Sequence, residues 1–407
     1  MGGFSKEKVR FAVCGAGRRG SSLAADVLCM LDTVEIIAIC DLSREKAEAL
    51  ADTVKEKNGN TPAVYTDHRE LLRSETPDAI LIATSIETHA AIAIDAMEKG
   101  VAVGMEVGGA GEEADCYRLV EAYERTKTPF MFLENCCYGE AELFAASLKK
   151  HGVLGEVVYC HGAYRHDIRE LTCTGDGKGS NFRLDIALHE NSDWYPTHEL
   201  GPIAKILNIG RGNRMVSLSF RASSAKGLPD YIARKEPFRD MRDLVFRQGD
   251  IVETLIQCEN GELIHIHLDT TLPTFYSREI SLRGTRGLYQ QDGNIVMVEG
   301  DGFKRFQDAL NSADRYKDQY LPEMWKTIPE EIKKTGHGGM DYLMLCAFVD
   351  ALLCNKEMPI DVYDAATWMS IGYLTRESIA KGGASVEIPD FTKGAYPFRL
   401  PLDVIDL

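Results

Sequence analysis

Between Asn181 and Pro202 the chain reads NFRLDIALHENSDWYPTHELGP, a short stretch that gathers a guanidinium (Arg183), imidazoles, a phenol (Tyr195) and carboxylates, the groups a sugar-handling site uses. Tyr195 and His198 lie three residues apart around Pro196. A helical turn opened by that proline sets both side chains on one side. Histidine takes and returns a proton near neutrality. A lone histidine in front of a helix is more often a cap or a packing residue, and it is the company of His198 that favours chemistry. A second group, GAYRHDIRE, leaves an alternating strand with Tyr164 at its end, where a phenol projects into a cleft. His166, Asp167 and Arg169 beside it read as a structural ion-pair network. In PTFYSRE, Tyr276 precedes a strand and offers an aromatic face, although a tyrosine at a strand edge is as often a packing residue. GHGGMD places His337 and two glycines before a helix, with no role assigned to the histidine.

A different chemistry is written near the N-terminus. The apolar run VRFAVC ends in Gly15-Ala16-Gly17-Arg18-Arg19-Gly20, and a second apolar run, Val34 to Cys40, stops at Asp41. Gly15 allows a tight turn, Gly17 lets backbone amides approach a pyrophosphate, and Gly20 lets the next helix pack closely on the strand. The anion then sits on a helix N-terminus. Asp41 stands where an acid accepts a hydrogen bond from the adenosine ribose 2′-hydroxyl and repels a 2′-phosphate, which favours NAD over NADP, with Arg44 as the counter-argument.

The elements that must carry these residues follow from periodicity. Up to residue 135 helical and strand patterns alternate as in a doubly wound parallel sheet: SREKAEALADTVKEK, HRELLRSE, HAAIAIDAMEKG and EEADCYRLVEAYERT are helical, while DAILIAT, VAVGMEV and FMFLEN are buried strands. Ligands of such sheets lie beyond the carboxyl ends of the strands, here Gly15, Asp41, Thr84, Glu106 and Asn135. From residue 136 a helix, EAELFAASLKKHG, leads into EVVYCHGAY, IVETLIQC, ELIHIHLD, REISLRG and GLYQQ, whose period-two alternation predicts a largely antiparallel open sheet. A long insertion, Arg165 to Asp250, separates the first two of these strands. Two helices, MDYLMLCAFVDALLC and AATWMSIGYLTRESIAKG, follow. The expected organisation is an α/β chain with a Rossmann domain over 1–135, an α+β domain for substrate and oligomerisation over 136–385, and a tail over 386–407.

Composition narrows the partners. With 407 residues and a net charge of −16, the chain suits two domains and a neutral small molecule rather than nucleic acid or an anionic membrane. Its eleven cysteines are odd in number and scattered, without disulfide or zinc spacing, so no metal is expected. The N-terminus shows no apolar leader core, and no window reaches the length of a membrane span, so a reducing cytoplasm is the expected setting. One uncovered face of the second sheet predicts a homo-oligomer, a dimer or tetramer.

Together the segments LENCCYGEAEL, GAYRHDIR, YPTHELGPIAKILNIGRGNR, FYSR, GHGGMDYLM and IPDFTKG resemble the Gfo/Idh/MocA oxidoreductase superfamily and, within it, glycoside hydrolase family 109, the NAD-dependent α-N-acetylgalactosaminidases. The resemblance runs from Val9 to about Phe391. It implies cofactor contacts at Arg19, Gly20, Asp41, His89, Glu106, Val107 and Asn135, beside the expected contacts at Gly15, Gly17, Arg18 and Thr84, with Tyr195 touching both cofactor and sugar. It makes Tyr164, Arg183, Tyr195, His198 and Tyr276 substrate residues, with proton transfer falling to Tyr164, Tyr195 and His198. The superfamily's usual Glu-Lys-Pro is replaced by Glu106-Val107-Gly108, a loss that family 109 shares. The implied reaction is glycosidic cleavage by transient oxidation at sugar C3, elimination, water addition and re-reduction. The alternative is a net NAD-dependent sugar 3-dehydrogenase.

Overall fold

Apolar runs flanked by turn residues become strands here because both faces of a parallel sheet are covered: Ala79–Ile82 is buried at every position. The computed structural model describes residues 7–108, 111–175 and 181–405; the first six residues, part of the segment read as lacking an apolar leader core, and the last two of the tail lie outside them. Among the described residues, fourteen strands form two sheets, and the chain divides into two compact units.

The first unit holds β1 (Val9–Cys14), β2 (Val34–Cys40), β3 (Ala63–Tyr65), β4 (Ala79–Ile82), β5 (Ala102–Glu106) and β6 (Phe130–Leu133), in the order β3-β2-β1-β4-β5-β6. Every pairing is parallel. The expected helices are present: α1 (Arg18–Ser22), α2 (Arg44–Asn58), α3 (His68–Ser74), α4 (His89–Met97) and α5 (Glu113–Thr126). Ser43 caps α2 by accepting from the Lys46 N–H, and Gly59, at φ +80°, ends it. The helix after the glycine loop is less regular than its sequence predicts, since α1 runs into a π turn over Leu23–Val27 and a 3-10 turn over Leu28–Met30.

Residues 327–369, read from sequence as part of the second domain, cluster with this first unit. The reason is apolar. Helix Met340–Leu353 is buried on most sides, and its Phe348 lies edge-on to Phe11 of β1 at 5.9 Å. A side chain at Gly104 of β5 would strike that same ring, so a bare backbone is needed there.

The second unit contains helix α6 (Glu140–Lys150) and the strands β7 (Val157–Arg165), β8 (Met215–Ala222), β9 (Ile251–Cys258), β10 (Leu263–Asp269), β11 (Ser281–Gly284), β12 (Gly287–Gln290), β13 (Ile295–Val298) and β14 (Val386–Glu387). Their order is β13-β12-β11-β7-β10-β9-β8-β14. β7 pairs with β10 in parallel and the remaining pairs are antiparallel, so the sheet is largely antiparallel, as expected, with one parallel pair. The supposed insertion is largely ordered structure. It supplies β8, which the sequence reading missed, and helices at Arg169–Thr174, Phe182–His189, Thr197–Ile206 and Gly227–Ala233.

Candidate functional site

In the first unit the glycine loop meets its structural requirements from two directions. Gly15 has φ +99°, and a Cβ on it would overlap the backbone of Ala83; one on Gly20 would overlap the Gly15 carbonyl. Gly17 differs. Its φ of −73° suits any residue, and a Cβ there would meet nothing within 4 Å. The middle glycine thus borders open space of the kind a pyrophosphate fills while its neighbours serve packing, which is the arrangement a dinucleotide needs. Asp41 is tied to the same loop: its carboxylate accepts from the Ala16 N–H at 2.8 Å and from the Ser43 N–H at 2.8 Å. Arg44 is directed elsewhere, toward Glu48 at 3.7 Å. Arg18 is exposed.

At the end of β4 the Thr84 hydroxyl lies 2.7 Å from that of Thr88, and the Thr84 carbonyl is 3.0 Å from His89 Nε2, which must donate to it. Burial pushes the pKa of His89 down, so the ring is neutral at pH 7. Beyond it, Arg19 donates to Glu106 through Nε at 3.0 Å and Nη2 at 2.7 Å, and to both oxygens of Asp341 at 2.6 and 2.9 Å. Asn135 Nδ2 donates to Asp341 at 2.8 Å, and His337 Nδ1 lies 2.9 Å from the same carboxylate. Three residues named from sequence, Arg19, Glu106 and Asn135, are thereby joined to two that were not assigned. Burial pushes the Asp341 carboxyl up, but hydrogen bonds from His337 and Arg19 outweigh it and hold the group well below the carboxylate range. An acid in the first turn of an otherwise apolar helix was the available signal for Asp341. Val107, next to Glu106, is buried.

In the second unit Pro196 is the N-cap of helix Thr197–Ile206, so the turn opened by proline forms as expected. The Gly-Pro pair does not start that helix, however; Pro202 lies inside it and has no N–H for the carbonyl of His198 four residues earlier. Gly162 of β7 lets the helix approach, since a Cβ there would sit 3.0 Å from the Glu199 carbonyl oxygen. This contact sets His198 beside the end of β7. The rings gather around Tyr164: Tyr195 at 5.1 Å, His198 at 5.3 Å, His166 at 5.5 Å and Tyr276 at 6.2 Å between centroids. Tyr195 and His198 are edge to face at 4.8 Å.

The Tyr164 hydroxyl is 2.9 Å from His166 Nδ1. His166 therefore belongs to the aromatic cluster, while Asp167 and Arg169 form the structural ion pair expected of them, 2.6 Å apart. Tyr276 is oriented by Arg278, whose Nη1 donates to its hydroxyl at 2.9 Å and whose Nε and Nη2 clasp buried Glu142 at 2.6 and 2.9 Å. Breaking such a buried pair costs about 3–5 kcal/mol. The sequence reading missed Arg278 and Glu142, because 136 residues separate the partners. Arg183 is joined to the cluster through two intervening rings: its guanidinium stacks at 4.4 Å on Phe182, whose ring lies 6.3 Å from Trp194, itself 5.1 Å from Tyr195.

Comparison with known proteins agrees with both halves. Residues 9–132 match the oxidoreductase family with the NAD-binding Rossmann fold, and residues 138–397 match the C-terminal domain of glycosyl hydrolase 109. An alpha-N-acetylgalactosaminidase of Tannerella forsythia is 36% identical over 98% of this chain and 89% of its own length. A glycosyl hydrolase family 109 protein of Stenotrophomonas maltophilia is 35% identical over 98% and 92%. Among solved structures, myo-inositol 2-dehydrogenase from Lactobacillus plantarum shares the fold with a TM-score of 0.63 at 17% identity, covering 94% of this chain and all of the other. Both the glycine loop with Asp41 and the whole-chain identity thus lead to one assignment: the chain belongs to glycosyl hydrolase family 109 and is an NAD-dependent glycosidase.

Proposed function

We propose that the first unit holds NAD through Gly15, Gly17, Gly20, Asp41, Thr84, His89 and the Arg19–Glu106–Asn135 network, and that Tyr164, Tyr195 and His198 move protons on a sugar held by Arg183 and Tyr276. The observation that carries this reading is the packing of Tyr195 and His198 around the Tyr164 ring, with the Tyr164 hydroxyl on His166. When bound, NAD supplies a hydride acceptor for C3 of the sugar and returns the same hydride. The protein's part is acid–base work. One group takes the O3 proton, and a base removes the C2 proton that the C3 ketone has acidified. The electron pair left at C2 closes the C1–C2 double bond as the aglycone leaves C1 with a proton. Water then adds at C1 while C2 is protonated again. The pair of carboxylates that an ordinary glycosidase places around the bond has no task in this sequence.

The name of the Tannerella forsythia relative makes α-N-acetylgalactosaminides the first substrates to test. Asp41, held on the glycine loop with Arg44 turned to Glu48, supports NAD over NADP. Eleven free thiols among the described residues support a reducing compartment such as the cytoplasm. No helix of the described residues is long and apolar enough to cross a membrane. On the second sheet Leu255 is exposed and Glu253, His265 and His267 are only partly buried, which supports a homo-oligomer; sedimentation as a monomer at micromolar concentration would count against it.

Hydrolysis in D₂O tests the chemistry. Deuterium is expected at C2 of the released sugar and not at C3, without accumulation of NADH. A product with C2 fully protonated excludes the elimination route, and a 3-keto product with matching NADH makes the chain a net dehydrogenase.

A further inference from the structure

Asp341 has a side chain only 1% exposed, yet groups from three separate segments converge on it: Arg19 from the start of α1, Asn135 from the turn after β6, and His337 from the GHGGMD turn. Through Arg19 the network reaches Glu106 at the end of β5. In the sheet order β3-β2-β1-β4-β5-β6, Asp41 at the end of β2 lies on one side of the glycine loop, and Glu106 and Asn135 lie on the other. A dinucleotide with its adenosine ribose at Asp41 and its pyrophosphate at the loop after β1 extends its nicotinamide toward β4, β5 and β6. The network therefore stands at the nicotinamide end.

Its fixed charges do not balance: two carboxylates, Glu106 and Asp341, face one guanidinium, Arg19, and the half-exposed His337 imidazole offsets the difference only when protonated. Oxidised nicotinamide carries a positive charge and reduced nicotinamide does not, so an excess of negative charge in a partly buried site favours the oxidised form. We infer that Asp341 is a positioning residue of the cofactor site, which fixes Arg19, Glu106 and Asn135 in one arrangement and tilts the site toward NAD⁺ over NADH. This rests on reading the first unit as the NAD site. It gives the enzyme a resting state with oxidised cofactor, ready for the next sugar.

The test uses the full chain freed of nucleotide and titrated calorimetrically with NAD⁺ and with NADH. Wild-type protein that bound neither form would remove the cofactor reading itself, before any variant was made. Asp341→Asn keeps the shape and loses the charge, and is expected to weaken NAD⁺ by roughly ten- to a hundredfold, the scale of a lost charged hydrogen bond, and NADH by clearly less. A purely structural role would weaken both forms equally. Asp341→Glu keeps the charge but displaces it by a methylene. It is expected to weaken both forms while preserving their ratio. Equal losses for the two forms in Asp341→Asn, or unchanged affinities in either variant, overturn the inference. Should Asp341→Asn fail to fold, judged by its thermal transition, Glu106→Gln, which removes the other carboxylate on Arg19, decides: NAD⁺ is expected to weaken more than NADH, and equal losses overturn the inference.

Discussion

The two units bring together their candidate ligand-binding groups by different physics. At the strand ends of the first, the polar groups are locked to one another: one buried carboxylate takes Arg19, Asn135 and His337, and Asp41 takes two backbone amides. At the strand ends of the second, rings pack on rings, and the outermost, Tyr276, is 47% exposed. Under the proposed mechanism, a cofactor regenerated in every turnover is served by a rigid, charged seat. A sugar that arrives and departs is served by aromatic faces and hydroxyls, which bind without a fixed counter-charge.

Breaking each half separately gives the largest expected effects. Tyr164→Phe and His198→Ala should each lower kcat by roughly 10²- to 10⁴-fold, the usual cost of a positioned acid or base, while NAD⁺ affinity by calorimetry changes little. A parallel loss of NAD⁺ binding would show that the ring cluster and the cofactor seat are not functionally separate.

The glycine loop sharpens the comparison within the first unit. Gly17→Leu should fold normally, because its Cβ meets open space, and should weaken NAD⁺ by at least about tenfold as the side chain enters the pyrophosphate position. Gly20→Ala should instead lower the melting temperature, because its Cβ meets the Gly15 carbonyl. Thermal melts and NAD⁺ titrations on the pair separate the two outcomes, and a Gly17 variant with unaltered affinity would break the reading of the loop.

Much of the cofactor half is legible in sequence because it is local: strand, glycine turn, helix and acid follow one another between Val9 and Asp41. What escapes is what the chain brings from far away. Asp341 reaches Arg19 across 322 residues, and the helix that carries it shows only apolar composition, which fits either domain. In the second unit Tyr195 and His198 could be paired because three residues separate them on a helical turn. The place of His166 was hidden by its charged neighbours. Strand β8, MVSLSFRA, lay inside a stretch rich in polar residues, and its pairing partner β9 begins 29 residues after β8 ends, so local pattern alone read it as part of a loop.

A smaller effect is expected at Asp41. Asp41→Ala should narrow the preference for NAD⁺ over NADP⁺ by roughly tenfold, the scale of one charge-assisted hydrogen bond and one removed repulsion. Competitive titration of the two cofactors measures it. An unchanged ratio would shift the preference to Arg44.

The last test compares two buried acids of opposite sign. Asp341 is held ionised by its partners, so its contribution to stability is present at neutral pH and is lost as pH falls through its lowered pKa. Asp193, buried next to the Trp194-Tyr195 segment, is pushed up to about 7 by burial, against the Thr254 hydroxyl that donates to it at 3.0 Å, the pull of His267 and the Tyr195 N–H; Glu253 adds to the rise. Its folded pKa lies above its unfolded one, near 3.9. The stability it contributes is therefore complete below about pH 4 and declines as pH rises to about 7, beyond which both states are ionised and the loss is constant. At most this decline is about 1.4 kcal/mol per pH unit, since one unit of pKa corresponds to that energy. Asp193→Asn cannot ionise, so whatever constant cost the amide brings, its melting temperature relative to wild type should climb between pH 5 and 7 and level off above. Each kcal/mol is worth roughly 2–4 °C in a domain of 150–250 residues. A difference that stays flat across that range would mean that Asp193 is ionised in the folded protein throughout, and that the turn leading to Tyr195 is held by a charge, as the cofactor seat is.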